Sequence, residues 1–125
     1  MKKTILVLED ELTLQTAIKS RLVKSGFSVL LANKVEDAIE LLKKSSMNIN
    51  GVWLDHYLLG SQNGLDFMVE LNKNKKWKNI PVFVVTNSVS DDKIAAYEVL
   101  GIQKYFVKSN NSLADIVGSI KDIII

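Results

Sequence analysis

The chain has 125 residues, enough for one domain with one core, and a 47% hydrophobic content with a single Pro excludes a disordered segment. It has no Cys, which excludes disulfides and thiolate metal sites, and its net charge of +2 is a weak electrostatic footprint for nucleic acid. The N-terminal MKKTILVLEDE meets acids too early for a signal peptide, and no segment approaches the roughly 18 apolar residues of a membrane span, so a cytoplasmic protein is expected.

Two kinds of segment alternate along the chain. TILVL (Thr4–Leu8) predicts a strand of β-formers. The following helix has apolar spacing at Leu14, Ala17, Ile18 and Leu22 and stops at Gly26, a good residue just past a helix end. FSVLLA (Phe27–Ala32) is the second strand, and Asn33 with Glu36 predicts a capping box opening the helix KVEDAIELLKKS, which ends at Ser45. GVWLD, starting at Gly51, is the third strand and places Trp53 in the core. GLDFMVELNKN, starting at Gly64, is the third helix. The densest basic run, KNKKWK (Lys73–Lys78), carries Trp77 and reads as a solvated helix end and loop rather than a nucleic-acid contact. PVFVVT (Pro81–Thr86) is a continuous apolar strand with Pro at its first position, where a missing N–H is tolerated. Ser90 caps DDKIAAYEVL, and Asp91 and Asp92 suit the first turn of that helix. KYFVK is a fifth strand, and SLADIVGSIKDIII, running to Ile125, a fifth helix.

Strands alternating with helices predict an α/β domain spanning residues 1–125, with a parallel sheet covered on both faces. The commonest topology for five such units is a doubly wound (βα)5 sheet of the flavodoxin-like order 2-1-3-4-5. Ligands of such sheets bind outside the carboxyl ends of the strands, at the switch point between strands 1 and 3. Strand 1 ends in Glu9, Asp10 and Glu11, strand 3 in Asp55, strand 4 in Thr86 and strand 5 in Lys108. Carboxylates gathered at one point repel unless a cation sits among them, and oxygen ligands without Cys or His select a hard ion, Mg2+ best. The chain has neither GxGxxG nor GxxxxGK[ST], so a phosphate would be met by metal, Lys ammonium, Thr hydroxyl and backbone N–H groups. That combination suits phosphoryl transfer to a carboxylate.

The pieces ILVLEDE, GVWLDHYLLGSQNGLDF, IPVFVVTNS and GIQKYFVKS, in that order and each at a strand end, resemble a response-regulator receiver domain over essentially the whole chain. The resemblance implies that Asp55 accepts a phosphoryl group from a histidine kinase or phosphotransfer protein. Asp10 is then the direct Mg2+ ligand, Glu9 an acid holding the ion through water, and the Tyr57 carbonyl a further ligand. Thr86 is the hydroxyl that turns toward the phosphoryl group, Lys108 the ammonium that pairs with it, and Tyr105 the aromatic switch. Such a domain catalyses its own phosphorylation and slow dephosphorylation but acts mainly as a regulatory switch. VVTNS, Tyr97 and VKS further resemble the small stand-alone receivers that partner bacterial phytochromes, which implies a homodimer through helix 4, strand 5 and helix 5. The output partner stays unnamed, and within these 125 residues neither direct nucleic-acid binding nor membrane insertion is expected.

Several positions depart from the family pattern. Glu9 replaces the commoner Asp and keeps the charge. Leu59 stands where Pro is usual, in a loop about one residue longer. Asn87 replaces a small residue beside Thr86. Ser109 replaces the Pro that usually follows Lys108 in a cis peptide; before Ser a cis bond costs about 3 kcal/mol, so the bond is either enforced by the fold or trans. Blander readings stand beside the functional ones. Glu11 is expected to cap helix 1, while for Thr86 a strand-end β-former and for Lys108 a solvated charge are the lesser alternatives to the functional readings. His56 is expected to be a partly exposed bystander. The Tyr57 ring either shields an acyl phosphate from water or is incidental. A pseudo-receiver that binds proteins without phosphorylation is the main alternative. An Asp-nucleophile phosphatase ranks last, because Tyr57 stands where its second acid belongs.

Overall fold

The computed structural model describes residues 2–44 and 48–124. Ser45, expected to end the second helix, and Ile125, expected to end the fifth, lie outside the described residues. The elements run in strict alternation: β1 (Thr4–Leu8), α1 (Leu12–Lys24), β2 (Ser28–Ala32), α2 (Val35–Lys44), β3 (Gly51–Leu54), α3 (Gly64–Asn72), β4 (Val82–Thr86), α4 (Asp91–Val99), β5 (Lys104–Val107) and α5 (Leu113–Ile124). One 3₁₀ turn, Lys108–Asn110, joins β5 to α5. All strand pairs are parallel and the order is β2-β1-β3-β4-β5, as the sequence predicts.

The central strands β1, β3 and β4 are almost wholly apolar and buried because the sheet is covered on both sides. Successive strand residues point to opposite faces. Leu6, Leu8, Val52, Leu54, Val82 and Val84 meet Val35, Ala38 and Leu42 of α2, Phe67, Met68 and Leu71 of α3, and Tyr97 of α4. Ile5, Val7, Trp53, Phe83, Val85 and Phe106 meet Ile18 and Leu22 of α1 and Ile116, Val117, Ile120 and Ile124 of α5. Trp53 is fully buried, as expected. Each fully buried Leu, Ile or Val side chain contributes about 1.5–3 kcal/mol relative to exposure, so both helical layers are held firmly to the central strands.

Local signals set the helix ends, with some corrections to the sequence reading. Gly26 follows α1 at φ 98°, the left-handed backbone expected there. Ser90 caps α4, its side chain accepting from the Lys93 N–H at 3.4 Å. The inward face of α1 is Gln15, Ile18 and Leu22, while Ala17 faces solvent, so the true stripe is offset from the one read from apolar residues alone. Glu11 takes the N-cap position of α1, but its side chain makes no cap hydrogen bond. Helix α2 starts at Val35, with the Ala38 N–H bonded to the Lys34 carbonyl, which is one residue later than a box at Asn33 implies. A reciprocal capping box forms instead at α3, where Asn63 Oδ1 accepts from Asp66 N–H at 3.2 Å and Asp66 accepts from Asn63 N–H at 2.8 Å.

The first residue of α3 is Gly64, and space is the reason. A Cβ there would run into the Tyr97 hydroxyl and lie 3.0 Å from the Asp55 carbonyl oxygen and 3.2 Å from His56 Cα. At Gly118 in α5 a Cβ meets nothing within 4 Å. Gly64→Ala is therefore expected to destabilise the domain by about 1–3 kcal/mol in chemical denaturation, through overpacking. Gly118→Ala should stabilise it by about 0.5–1 kcal/mol, the ordinary helix-interior gain.

Candidate functional site

The order in which strands are added to the parallel sheet reverses between β1 and β3, and the strand-end acids stand there. Backbone bonds hold them: the Glu9 N–H donates to the Ala32 carbonyl at 3.1 Å and the Asp55 N–H to the Leu8 carbonyl at 3.0 Å. Glu9 is 1% exposed and Asp55 3%. Carboxylate oxygens of Glu9, Asp10 and Asp55 all lie within 4.8 Å of one another. Lys108, carried over from the edge strand, donates to Glu9 Oε1 and to Asp55 Oδ2, both at 2.9 Å. The second oxygens are also used, since Glu9 Oε2 accepts from the Glu11 N–H at 3.2 Å and Asp55 Oδ1 from the Tyr57 N–H at 3.3 Å. Gln15, unnoticed in the sequence because it sits in an apolar stripe, braces the site from below. Its Nε2 donates to the carbonyls of Glu9 at 3.1 Å and Ala32 at 3.3 Å, tying α1 to the ends of β1 and β2.

The electrostatics follow from burial. Loss of water pushes the Glu9 carboxyl up to about 7, with the Asp55 charge adding to the rise and the Lys108 hydrogen bond opposing it. Burial alone would lower Lys108, but its hydrogen bonds to Asp55 and Glu9 outweigh that and hold its pKa above the usual value. The donor set of Glu9, Asp10 and Asp55 is all carboxylate oxygen, with no sulfur or imidazole nitrogen, and so fits a hard divalent cation.

The remaining expected residues surround this cluster. Thr86 ends β4 fully buried, and its hydroxyl has no hydrogen-bond partner among the described residues. In β4 it shares the face of Val82 and Val84, and β5 pairs Val84 with Tyr105, so Thr86 and Tyr105 lie diagonally on one face. The Tyr105 ring is partly buried against that core, and burial raises its pKa. Tyr57 is 49% exposed at the mouth of the site. Asn87 is exposed as well. No peptide bond among the described residues is cis, so the Lys108–Ser109 bond is trans and the chain turns through the 3₁₀ segment instead.

His56 corrects the expectation of a partly exposed bystander: it is 2% exposed. Strand alternation sends Asp55 toward the α1–α5 face and His56 toward the opposite face, under α4. There His56 Nδ1 and the Tyr97 hydroxyl share a hydrogen bond of 2.6 Å. Burial, and then the charge of Lys93, lower the His56 pKa and keep the ring neutral at pH 7. Burial likewise raises the Tyr97 pKa. The alternation was the available signal, since a residue following an inward-facing strand-end acid must face the other layer.

Comparison with known proteins agrees with this geometry. A family model described as the response regulator receiver domain matches residues 5–121. The chain is 26% identical over 123 residues to a probable transcriptional regulator, ycf29, of Pyropia yezoensis, covering 96% of this chain and 54% of that protein. It is 25% identical over 105 residues to the chemotaxis protein CheY1 of Helicobacter pylori (strain 26695), covering 83% of each. Among solved structures, the phosphorylated cyanobacterial phytochrome response regulator RcpA superposes with a TM-score of 0.87 at 23% identity, over 99% of this chain and 94% of that one. The Mn(2+)-bound form of response regulator Rcp1 gives 0.80 at 25% identity, over 96% and 92%.

A raised carboxyl pKa fixes the sign of a pH effect. In metal-free protein Glu9 holds a proton that the unfolded chain has released, so its contribution to stability is present below about pH 4.5 and lost as pH rises through about 7. Denaturation in chelator should show stability falling across this window, by at most about 1.4 kcal/mol per pH unit from this group. Glu9→Gln should flatten that slope.

Proposed function

The chain belongs to the response-regulator receiver family of two-component signalling, and from that premise we propose that it is a switch set by phosphorylation of Asp55. One observation carries the reading: Lys108 lies 2.9 Å from both Asp55 and Glu9 inside a cluster of acids, and the Thr86 hydroxyl at the end of the neighbouring strand β4 is buried with no hydrogen-bond partner among the described residues. A structural charge cluster would have no need of a hydroxyl kept free.

The donor is a phosphohistidine on a histidine kinase or phosphotransfer protein. An Asp55 carboxylate oxygen forms the new bond to phosphorus, the phosphorus–nitrogen bond breaks, and the departing imidazole takes up a proton. The transfer needs little covalent help, so the residues act through position and charge. Lys108 gives up its carboxylate partners and pairs with a phosphoryl oxygen, Thr86 turns its hydroxyl onto another, and the Tyr57 N–H lies beside the attacking carboxylate. Mg2+ held by Glu9, Asp10, Asp55 and the Tyr57 carbonyl would neutralise charge on the phosphoryl oxygens. Water later attacks the phosphorus of the Asp55 acyl phosphate, the bond between phosphorus and the Asp55 oxygen breaks, and inorganic phosphate leaves with the carboxylate restored, so the domain resets itself.

Turning Thr86 inward vacates space that Tyr105, on the same face, is placed to fill, and α4 and β5 carry the change to the surface. Edge strand β5, with Val99 at the end of α4 and Ile123 on α5 exposed, supports a homodimer or output surface on this side. The similarity to the phytochrome response regulator RcpA supports a phytochrome-associated role, and a cytoplasmic, stand-alone receiver is part of the proposal. The chain spans about half of the ycf29 protein, and direct DNA binding is not part of the proposal. The Lys108–Asp55 contact, formed despite the Ser109 substitution, supports the phosphorylation reading over a pseudo-receiver.

Incubation with Mg2+ and acetyl phosphate should add one phosphoryl mass, stable in acid and labile in base. The gain should disappear in Asp55→Ala and with chelator, and fall at least about tenfold in rate in Asp10→Ala, the scale of loss for a metal-site substitution. Unaltered labelling of Asp55→Ala would reject the proposal.

A further inference from the structure

We propose that His56 and Tyr97 form a buried strut that positions the metal-binding turn Asp55–Tyr57 from helix α4. This deepens the reading of the site given above and rests on it for the identity of the metal ligands.

His56 sits between two residues of that turn, with Asp55 on one side and Tyr57 on the other. Both ends of His56 are held. Its carbonyl accepts the Gly64 N–H at 3.0 Å, which ties it to the start of α3. Its ring shares the 2.6 Å hydrogen bond with the fully buried Tyr97 of α4. The ring is also packed edge-on against two aromatic rings, Tyr57 at 4.9 Å and Tyr97 at 5.7 Å between centroids. Gly64 leaves the room that the Tyr97 hydroxyl occupies. A buried hydrogen bond between two polar side chains specifies one arrangement, because either partner left alone is unsatisfied. Here that arrangement fixes the peptide groups flanking His56, and with them the Asp55 carboxylate and the Tyr57 backbone.

The strut joins two functions that otherwise sit on opposite faces of the sheet. A shift of α4 loosens the turn and weakens cation binding, and by linkage a bound cation steadies α4. His56 and Tyr97 are positioning residues, since neither touches the acids of the site from its side chain.

The test is Mg2+ titration of the full chain, followed by Trp fluorescence, alongside thermal melts. Tyr97→Phe and His56→Leu each remove the bond, whereas His56→Asn keeps a polar atom near the Nδ1 position. Mg2+ affinity should drop about tenfold in the first two, the range for loss of an outer-shell contact, and stay within about twofold in His56→Asn. A purely structural role would lower the melting temperature and leave the affinity in place. Tyr97→Phe and His56→Leu provide independent routes should one fail to fold. Wild-type affinity in the folded members of that pair, or equal weakening in His56→Asn and His56→Leu, would overturn the strut, as would a wild-type chain that binds no Mg2+. A wild type that binds Mg2+ but gains no phosphoryl mass would reject the switch and leave the strut standing.

Discussion

The pair of 2.9 Å contacts from the Lys108 ammonium to Glu9 and Asp55 is the interaction around which the site is organised. Two carboxylates almost without solvent are brought together at the ends of β1 and β3, and the sheet gives them no freedom to separate. Removing one partner of a buried charged cluster typically costs about 3–5 kcal/mol, because the partners left behind have neither water nor a counter-charge. Burial raises Glu9 to about 7, so the cluster also relieves its charge by holding a proton. A lysine, a proton and a divalent cation therefore compete for the same oxygens. In the proposed switch that competition makes the site responsive, since an incoming phosphoryl group would offer Lys108 a new partner.

The sheet then separates chemistry from its readout. Alternation places Asp55, Glu9 and Lys108 on the α1–α5 side, while Thr86, Tyr105, Tyr97 and the His56 ring belong with α4. Any signal from Asp55 to α4 has to pass around the carboxyl edge of β3 and β4. In the proposed account His56 makes that passage through the backbone next to Asp55, and Thr86 through its hydroxyl. The two routes reach α4 and β5, the side of the molecule with an exposed edge strand.

Much of this was legible in the sequence because it depends on period and position. Runs such as ILVL and VFVV are long enough to be strands and too apolar to face water, and their alternation with helical spacing leads to the 2-1-3-4-5 order. The acids, Thr86 and Lys108 were found by asking what stands at strand ends, a question that needs no contacts. Two of the misses, His56 and Ala17, have a common cause in side-chain direction. His56 was placed by analogy, while alternation turns its ring inward to Tyr97. Ala17 was counted into the α1 stripe on hydrophobicity, while the polar Gln15 takes the inward place because two carbonyls need a donor. The capping box at Asn63 uses Asp in place of the usual Glu or Gln, and so escaped the pattern. The Lys108–Ser109 peptide had no sequence signal either way.

A crystal structure with Mg2+ and beryllofluoride, a mimic of a phosphoryl group, tests the central claim most directly. The expected result has beryllium bonded to an Asp55 oxygen, Lys108 moved from Glu9 onto a fluoride, Thr86 turned to meet another fluoride, and the cation among Glu9, Asp10 and Asp55. Lys108 still bridging Glu9 and Asp55, with no beryllium on Asp55, would contradict the account.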